Sequence, residues 1–342
     1  MEKRIRSKTF DIAKAVAMLA VVWGHFLSPW GTVAIYAFHV PLFFFVSGFF
    51  LNRKKTLGTY AREKALQLFV PYVITSLVVL LGSVIKSYLA EGSAAGASDT
   101  AGQWFFRMIC GAGLVPEHPL IQADFIGPIW FLPALFFALV ITRWAMESRW
   151  GWALVLASVL LGYISSRYVW LPLSLQAGMM MAGYVYGGHL FRVVWDRVSE
   201  QYSEEPKMSI LTVAGCLVAS AAIWLFYLGG EREILFVCIN AYPRGIVDYV
   251  GPAFGVVAVI LFSHLALQRL PLVSDYLAWM GQGTLFLLCV HTVDDALNSW
   301  DWIIRRFDTY CFGEIFWIFV GKILLYSILL WIWKWAAKKI KP

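Results

Sequence analysis

The chain has 342 residues, of which 60% are hydrophobic and 14% charged, against about 45–50% and about 25% in an ordinary soluble domain. A soluble protein of that length has no interior large enough to hide so much apolar surface, and intrinsic disorder, a collagen-like fibre and a disulfide scaffold are excluded by the same figures. The net charge of +7, from 28 basic and 21 acidic residues, sits mainly at the ends of apolar runs, where it meets anionic headgroups rather than nucleic acid.

Ten apolar stretches follow in chain order, at about 10–28, 32–52, 66–89, 126–146, 150–166, 171–191, 209–229, 247–269, 276–297 and 314–336. Ten spans of about 20 residues each consume about 200 residues. This predicts an all-α, polytopic integral membrane protein of about ten transmembrane helices. Residues 1–342 read as a single transmembrane domain with no extramembrane catalytic domain. An even number of spans puts both termini on one side. The termini and the connections at 53–65, 143–149, 192–208 and 268–275 carry 19 Lys and Arg residues, whereas the opposite loops carry 6. By the positive-inside rule both termini are cytoplasmic. The longest outer loop, about 90–125, opens with the Gly/Ala/Ser-rich run EGSAAGASDTAG, and its following aromatics suit an interfacial or re-entrant segment. Lys14 and His25 interrupt the first run and no small-residue cleavage site follows, so no cleavable leader is expected. The five cysteines include no CxxC pair, and Cys216, Cys238 and Cys289, in or beside apolar runs, read as buried free thiols rather than disulfides or metal ligands.

Ionisable side chains inside a bilayer are costly and therefore informative. The first span holds Asp11, Lys14 and His25. Eleven residues separate Lys14 from His25, which at 100° per residue places them on one helical stripe, about 16 Å apart. Asp11 is within i,i+3 reach of Lys14. A helix-entry ion pair with a snorkelling lysine is the alternative for Asp11 and Lys14, and a polar interhelical contact the alternative for His25. His39 in the second span and His291 in the ninth fall at a similar depth in the outer half. Asp294 and Asp295 follow His291, and Lys322 lies in the tenth span. Together these suggest a polar cavity opening outward; unrelated helix–helix hydrogen bonds and one neutralising Asp–Lys pair are the competing account. Imidazole takes a proton from a hydroxyl near neutral pH, which makes an intramembrane histidine a candidate general base. No Ser/His/Asp set, HExxH, Walker loop or GxGxxG is present, and no metal site is expected.

These residues resemble the acyltransferase 3 family of bacterial ten-helix membrane O-acyltransferases. The family's first helix carries an Arg, ten residues, then His. Asp11-Ile-Ala-Lys14 and Gly24-His25 follow that frame with Lys in place of Arg. The segment from Phe38 through His39, Pro41 and Ser47 to Phe49 is similar to the FHMPLFFFISGY stretch of the branch containing polysaccharide and Nod-factor O-acetylases. Arg62 with Pro71-Tyr72, the run Pro128 to Leu132, and Gly281-Gln282-Gly283-Thr284 with His291 extend the likeness over nearly the whole chain. Two features depart from it. Lys14 lacks the bidentate fork of Arg, and Gln67 stands where a second basic residue often follows Arg62 and Lys64.

The resemblance implies transfer of an acyl group, usually acetyl, from cytoplasmic acyl-CoA (acetyl-CoA) to a hydroxyl of a cell-surface or lipid-linked carbohydrate, in the bacterial plasma (inner) membrane. It makes His25 the base or acyl relay, with His39, Lys14 and Asp11 as its catalytic companions. Lys14, Arg62 and Lys64 would face the anionic donor, and Trp130, His291 and Ser47 the substrate. Trp23, Trp30 and Trp130 suit sugar stacking or an ordinary interfacial belt equally. The partners implied are acyl-CoA, a carbohydrate acceptor and membrane lipids, with no nucleic acid. The competing class is a transporter, exporter or flippase with intramembrane histidines as proton relay.

Overall fold

Aligned backbone groups inside lipid must satisfy one another within each segment, so a spanning chain of this composition folds as helices. The computed structural model describes residues 7–26, 31–51, 53–201, 210–230, 233–298 and 312–340. Among the described residues there are thirteen α-helices and no strand, only two isolated β-bridges. They are α1 (Lys8–Gly24), α2 (Thr32–Tyr36), α3 (His39–Phe49), α4 (Leu57–Glu91), α5 (Ala94–Cys110), α6 (Phe131–Ala145) and α7 (Gly151–Ser165), followed by α8 (Leu175–Gln201), α9 (Ile210–Gly229), α10 (Ile246–Arg269), α11 (Pro271–Gly281), α12 (Thr284–Leu297) and α13 (Phe312–Ile340).

Among the described residues, five segments are long and apolar enough to cross a membrane: Thr32–Phe49, Leu57–Glu91, Pro128–Ala145, Ile246–Leu265 and Ile315–Lys339. Gly151–Ser165 and Ala214–Gly229 are shorter apolar helices. On α4, Leu66, Val70, Ile74, Leu77, Leu81 and Ile85 all point outward, a continuous apolar face that only lipid accommodates. The chain is a membrane protein.

Several elements differ from the sequence expectation. The segment 57–65, expected as a cytoplasmic loop, is the start of α4, whose first turn is capped by the Thr56 hydroxyl accepting from the Thr59 N–H at 3.4 Å. At 35 residues and about 1.5 Å per residue, α4 exceeds the bilayer core of about 30 Å. Within the expected outer loop 90–125, the Ala-rich run forms α5, with Ser93 as its N-cap. The second and ninth stretches are each broken, at Ala37–Phe38 and at Gln282–Gly283. Pro41 lies in the first turn of α3, where its missing N–H costs nothing.

Close backbone approach fixes the helix order. α8 packs against α3, α6 and α7, and α1 against α11 and α10. A Cβ on Gly48 would lie 1.9 Å from the Val185 carbonyl oxygen, and one on Gly188 1.9 Å from that of Phe45. A Cβ on Gly281 would lie 1.7 Å from the Asp11 carbonyl oxygen, so this glycine sets the approach of α11 to the helix that carries Lys14 and His25. Gly281→Val should lower the thermal midpoint in detergent, since forcing such contacts apart costs about 1–3 kcal/mol or more. An unchanged melt would show that α1 and α11 separate freely.

Candidate functional site

Lys14 and His25 both line one cavity of about 490 Å³ enclosed by α1, α3, α4, α6 and α12 and by the 233–239 segment. His39 and Ser47 of α3, Gln67 of α4, Trp130 and Asp295 also face it, among apolar walls that include Met18, Phe43, Phe131 and Leu288. Lys14 lies three turns before His25 on α1, so a cation stands toward one end of the cavity and an imidazole toward the other.

One end of the cavity is organised around Lys14. Asp11 is buried and pairs with it at 2.8 Å, the i,i+3 contact that the spacing anticipates. Asp11 itself does not reach the cavity wall. Neither Arg62 nor Lys64 lines the cavity, but the Lys64 ammonium donates to Gln67 Oε1 at 2.9 Å, and Gln67 does line it. The basic 53–55 segment is tied to the end of α6, because the buried Arg143 donates to the Lys55 carbonyl at 2.7 Å and pairs with Glu147 at 3.0 Å.

The other end is organised around His25, the C-cap of α1. Its Nδ1 is 2.6 Å from Nε2 of His291. His291 is fully buried and absent from the cavity wall. Its Nδ1 lies 3.1 Å from the Tyr326 hydroxyl, which donates to Asp294 Oδ2 at 2.7 Å. Lys322 pairs with the same carboxylate oxygen at 3.0 Å, and Asn298 donates to Oδ1 at 3.2 Å. His39 spends its Nδ1–H on the Ile35 carbonyl at 2.7 Å and packs edge-on to Tyr36, another cavity residue.

Trp130 depends on two glycines. Gly127, with φ +82° and ψ −163°, takes a conformation essentially reserved for glycine and turns the chain into the 3₁₀ turn Pro128–Trp130. Gly113 leaves the space that the indole fills, since a Cβ there would lie 2.4 Å from Trp130 Cδ1. Cys238 also lines the cavity, but burial pushes its thiol up to about 12, so it supplies no thiolate near neutral pH. Trp30, together with Arg232, Arg305 and Arg306 of the charge tally, lies outside the described residues. Tyr326 and Tyr36 are not among the residues that the sequence singles out. Tyr326 follows Lys322 at i,i+4, the one pattern that points to it.

A cavity within a membrane helix bundle, lined by an imidazole and an ammonium on one helix, agrees with what sequence comparison finds. The acyltransferase 3 family model, an acyltransferase domain, matches residues 8–336, and the chain belongs to that family. A nodulation protein, NolL, from Sinorhizobium fredii (strain NBRC 101917 / NGR234) is 24% identical over 154 residues, 40% of this chain and 36% of that relative. The match thus spans about a third of the relative's length. No solved structure matches the chain.

Proposed function

We propose that this chain is a bacterial inner-membrane O-acyltransferase that moves an acyl group, acetyl in the simplest case, from cytoplasmic acyl-CoA to a carbohydrate hydroxyl at the outer side. Ten spans with both termini cytoplasmic, forming one transmembrane unit over residues 1–342, are part of this reading. The observation that carries it is the sharing of one cavity by Lys14 and His25 in a chain of an acyltransferase family. The apolar walls and the length of about 16 Å between the two residues suit an extended acyl-pantetheine arm. The nucleotide would remain at the basic inner mouth formed by Arg53, Lys54, Lys55, Arg62 and Lys64, with Lys14 meeting the donor inside.

In the reaction His25 takes the proton of the acceptor hydroxyl, and that oxygen attacks the thioester carbonyl. The carbon–sulfur bond breaks, and the departing thiolate receives the proton from His25. Imidazole both accepts and returns the proton, so no other co-reactant is needed. His39, Ser47 and Trp130 face the space where acceptor and acyl group would meet. Trp130 offers an indole face to a sugar ring.

Purified protein in detergent should consume acetyl-CoA and acylate an added glycan, whereas a carrier consumes no thioester. Lys14→Ala should raise the KM for the donor or stop turnover, and Lys14→Arg should retain most of the activity because the positive charge persists. Donor kinetics unchanged in Lys14→Ala would reduce Lys14 to a snorkelling anchor.

A further inference from the structure

The hydrogen bonds behind His25 have a direction, and the direction follows from counting protons. Lys322 holds Asp294 as a carboxylate, which only accepts. Tyr326 has one hydroxyl proton and gives it to Asp294 Oδ2 at 2.7 Å. At its contact with His291 Nδ1, 3.1 Å away, the tyrosine oxygen therefore accepts, and Nδ1 of His291 carries the proton. A neutral imidazole protonated at Nδ1 has its lone pair at Nε2. That atom faces His25 Nδ1 at 2.6 Å, so His25 is the donor there. His25 is left with an unprotonated Nε2 in a side chain that lines the cavity.

We propose that His291, Tyr326 and Asp294 are positioning residues that fix His25 in the tautomer a general base requires, with Lys322 holding the far end of the chain as an anion. The inference rests on the reading of His25 as the base. It moves His291, expected from the sequence to contact substrate, to a place behind the reacting imidazole.

The burial pattern supports a dedicated device. His291, Asp294, Tyr326 and Lys322 are all at most 5% exposed, and each has a partner within the chain. Two helices supply it: His291 and Asp294 share a face of α12 at i,i+3, and Lys322 and Tyr326 share a face of α13 at i,i+4. Without this chain, an imidazole prefers its proton on Nε2, the nitrogen that must be free to take the acceptor's proton. The imidazolium formed during transfer keeps its Nδ1–H on His291 and shares the cavity with Asp295, His39 and Tyr36.

The test combines spectroscopy of the unmodified protein with kinetics of three variants. In ¹⁵N-histidine-labelled protein, with the His25 signals assigned by their loss in His25→Ala, Nδ1 should appear protonated and Nε2 unprotonated near neutral pH. His291→Phe should lower kcat by a factor approaching the order of 10⁴ that a wrong tautomer causes in a base held by a carboxylate, with little change in the KM for acetyl-CoA. His291→Gln, whose amide oxygen can still accept from His25 Nδ1–H, should recover part of that loss. Tyr326→Phe should give a smaller fall in kcat and a mixed tautomer at His25. A wild-type spectrum with the proton on His25 Nε2 overturns the inference, as does folded His291→Phe protein with wild-type kcat. Retained activity in His25→Ala, by contrast, overturns the base assignment and leaves the spectroscopic result to be judged separately.

Discussion

His25→Ala should abolish acyl transfer while leaving the folded yield and the thermal melt close to wild type. Residue 25 is the C-cap of α1 through its backbone, and its side chain lines a cavity rather than filling the packed core, so little apolar contact is lost with it. Its removal leaves the acceptor hydroxyl without a proton acceptor, and loss of a positioned base costs about 10²–10⁴-fold in rate. The measurement is acetyl-CoA consumption and product formation by the purified variant, alongside its melt. Near-normal turnover in well-folded His25→Ala protein would remove His25 from the chemistry. His39 would not replace it without rearrangement, because its Nδ1 is committed to the carbonyl of Ile35 in the preceding helix α2.

Composition alone made the helical membrane class legible, because 60% hydrophobic content in 342 residues leaves few other solvents for the surface. The Asp11–Lys14 pair and the common stripe of Lys14 and His25 were legible too, since both follow from the 100° step of one helix. What periodicity cannot carry is azimuth between helices. It placed His291 at the depth of His25 without revealing that one ring stands behind the other. Tyr326 escaped for a related reason: a tyrosine in an apolar run looks like any packed or interfacial aromatic until a partner helix supplies His291 and Asp294. Gln67 was read as a gap in a basic motif, yet it lines the cavity and accepts from Lys64. The helix α5 was hidden by its glycines and serines, although Ser93 is a strong cap and four alanines follow within its length. The glycine at 281 read as part of a motif, and only the packed backbone of Asp11 shows why a side chain is excluded there.

The reaction should be strictly sided. Acyl-CoA is made in the cytoplasm and cannot cross a bilayer, whereas a surface glycan presents its hydroxyls at the outer face. On the proposed topology, the positive-inside tally of 19 basic residues against 6 would put the termini and the 53–56 segment on the donor side. Thr56 is exposed ahead of α4, and Glu117 is exposed in the connection between α5 and α6. In sealed vesicles of known orientation, donor should be consumed only from the side bearing the termini, and acceptor should be acylated only from the opposite side. On a background without reactive native cysteines, Thr56→Cys should react with an impermeant thiol reagent from the donor side and Glu117→Cys from the other. The cavity would account for such a pathway physically: a donor arm entering past Lys14 would reach His25 three turns along the same helix, about 16 Å and so about half of a bilayer core of about 30 Å, while the nucleotide stays behind. Labelling of both cysteines from one side would overturn the topology. Use of donor and acceptor from the terminal side alone would overturn transfer across the membrane, and the chemistry at His25 would then have to open toward the cytoplasm.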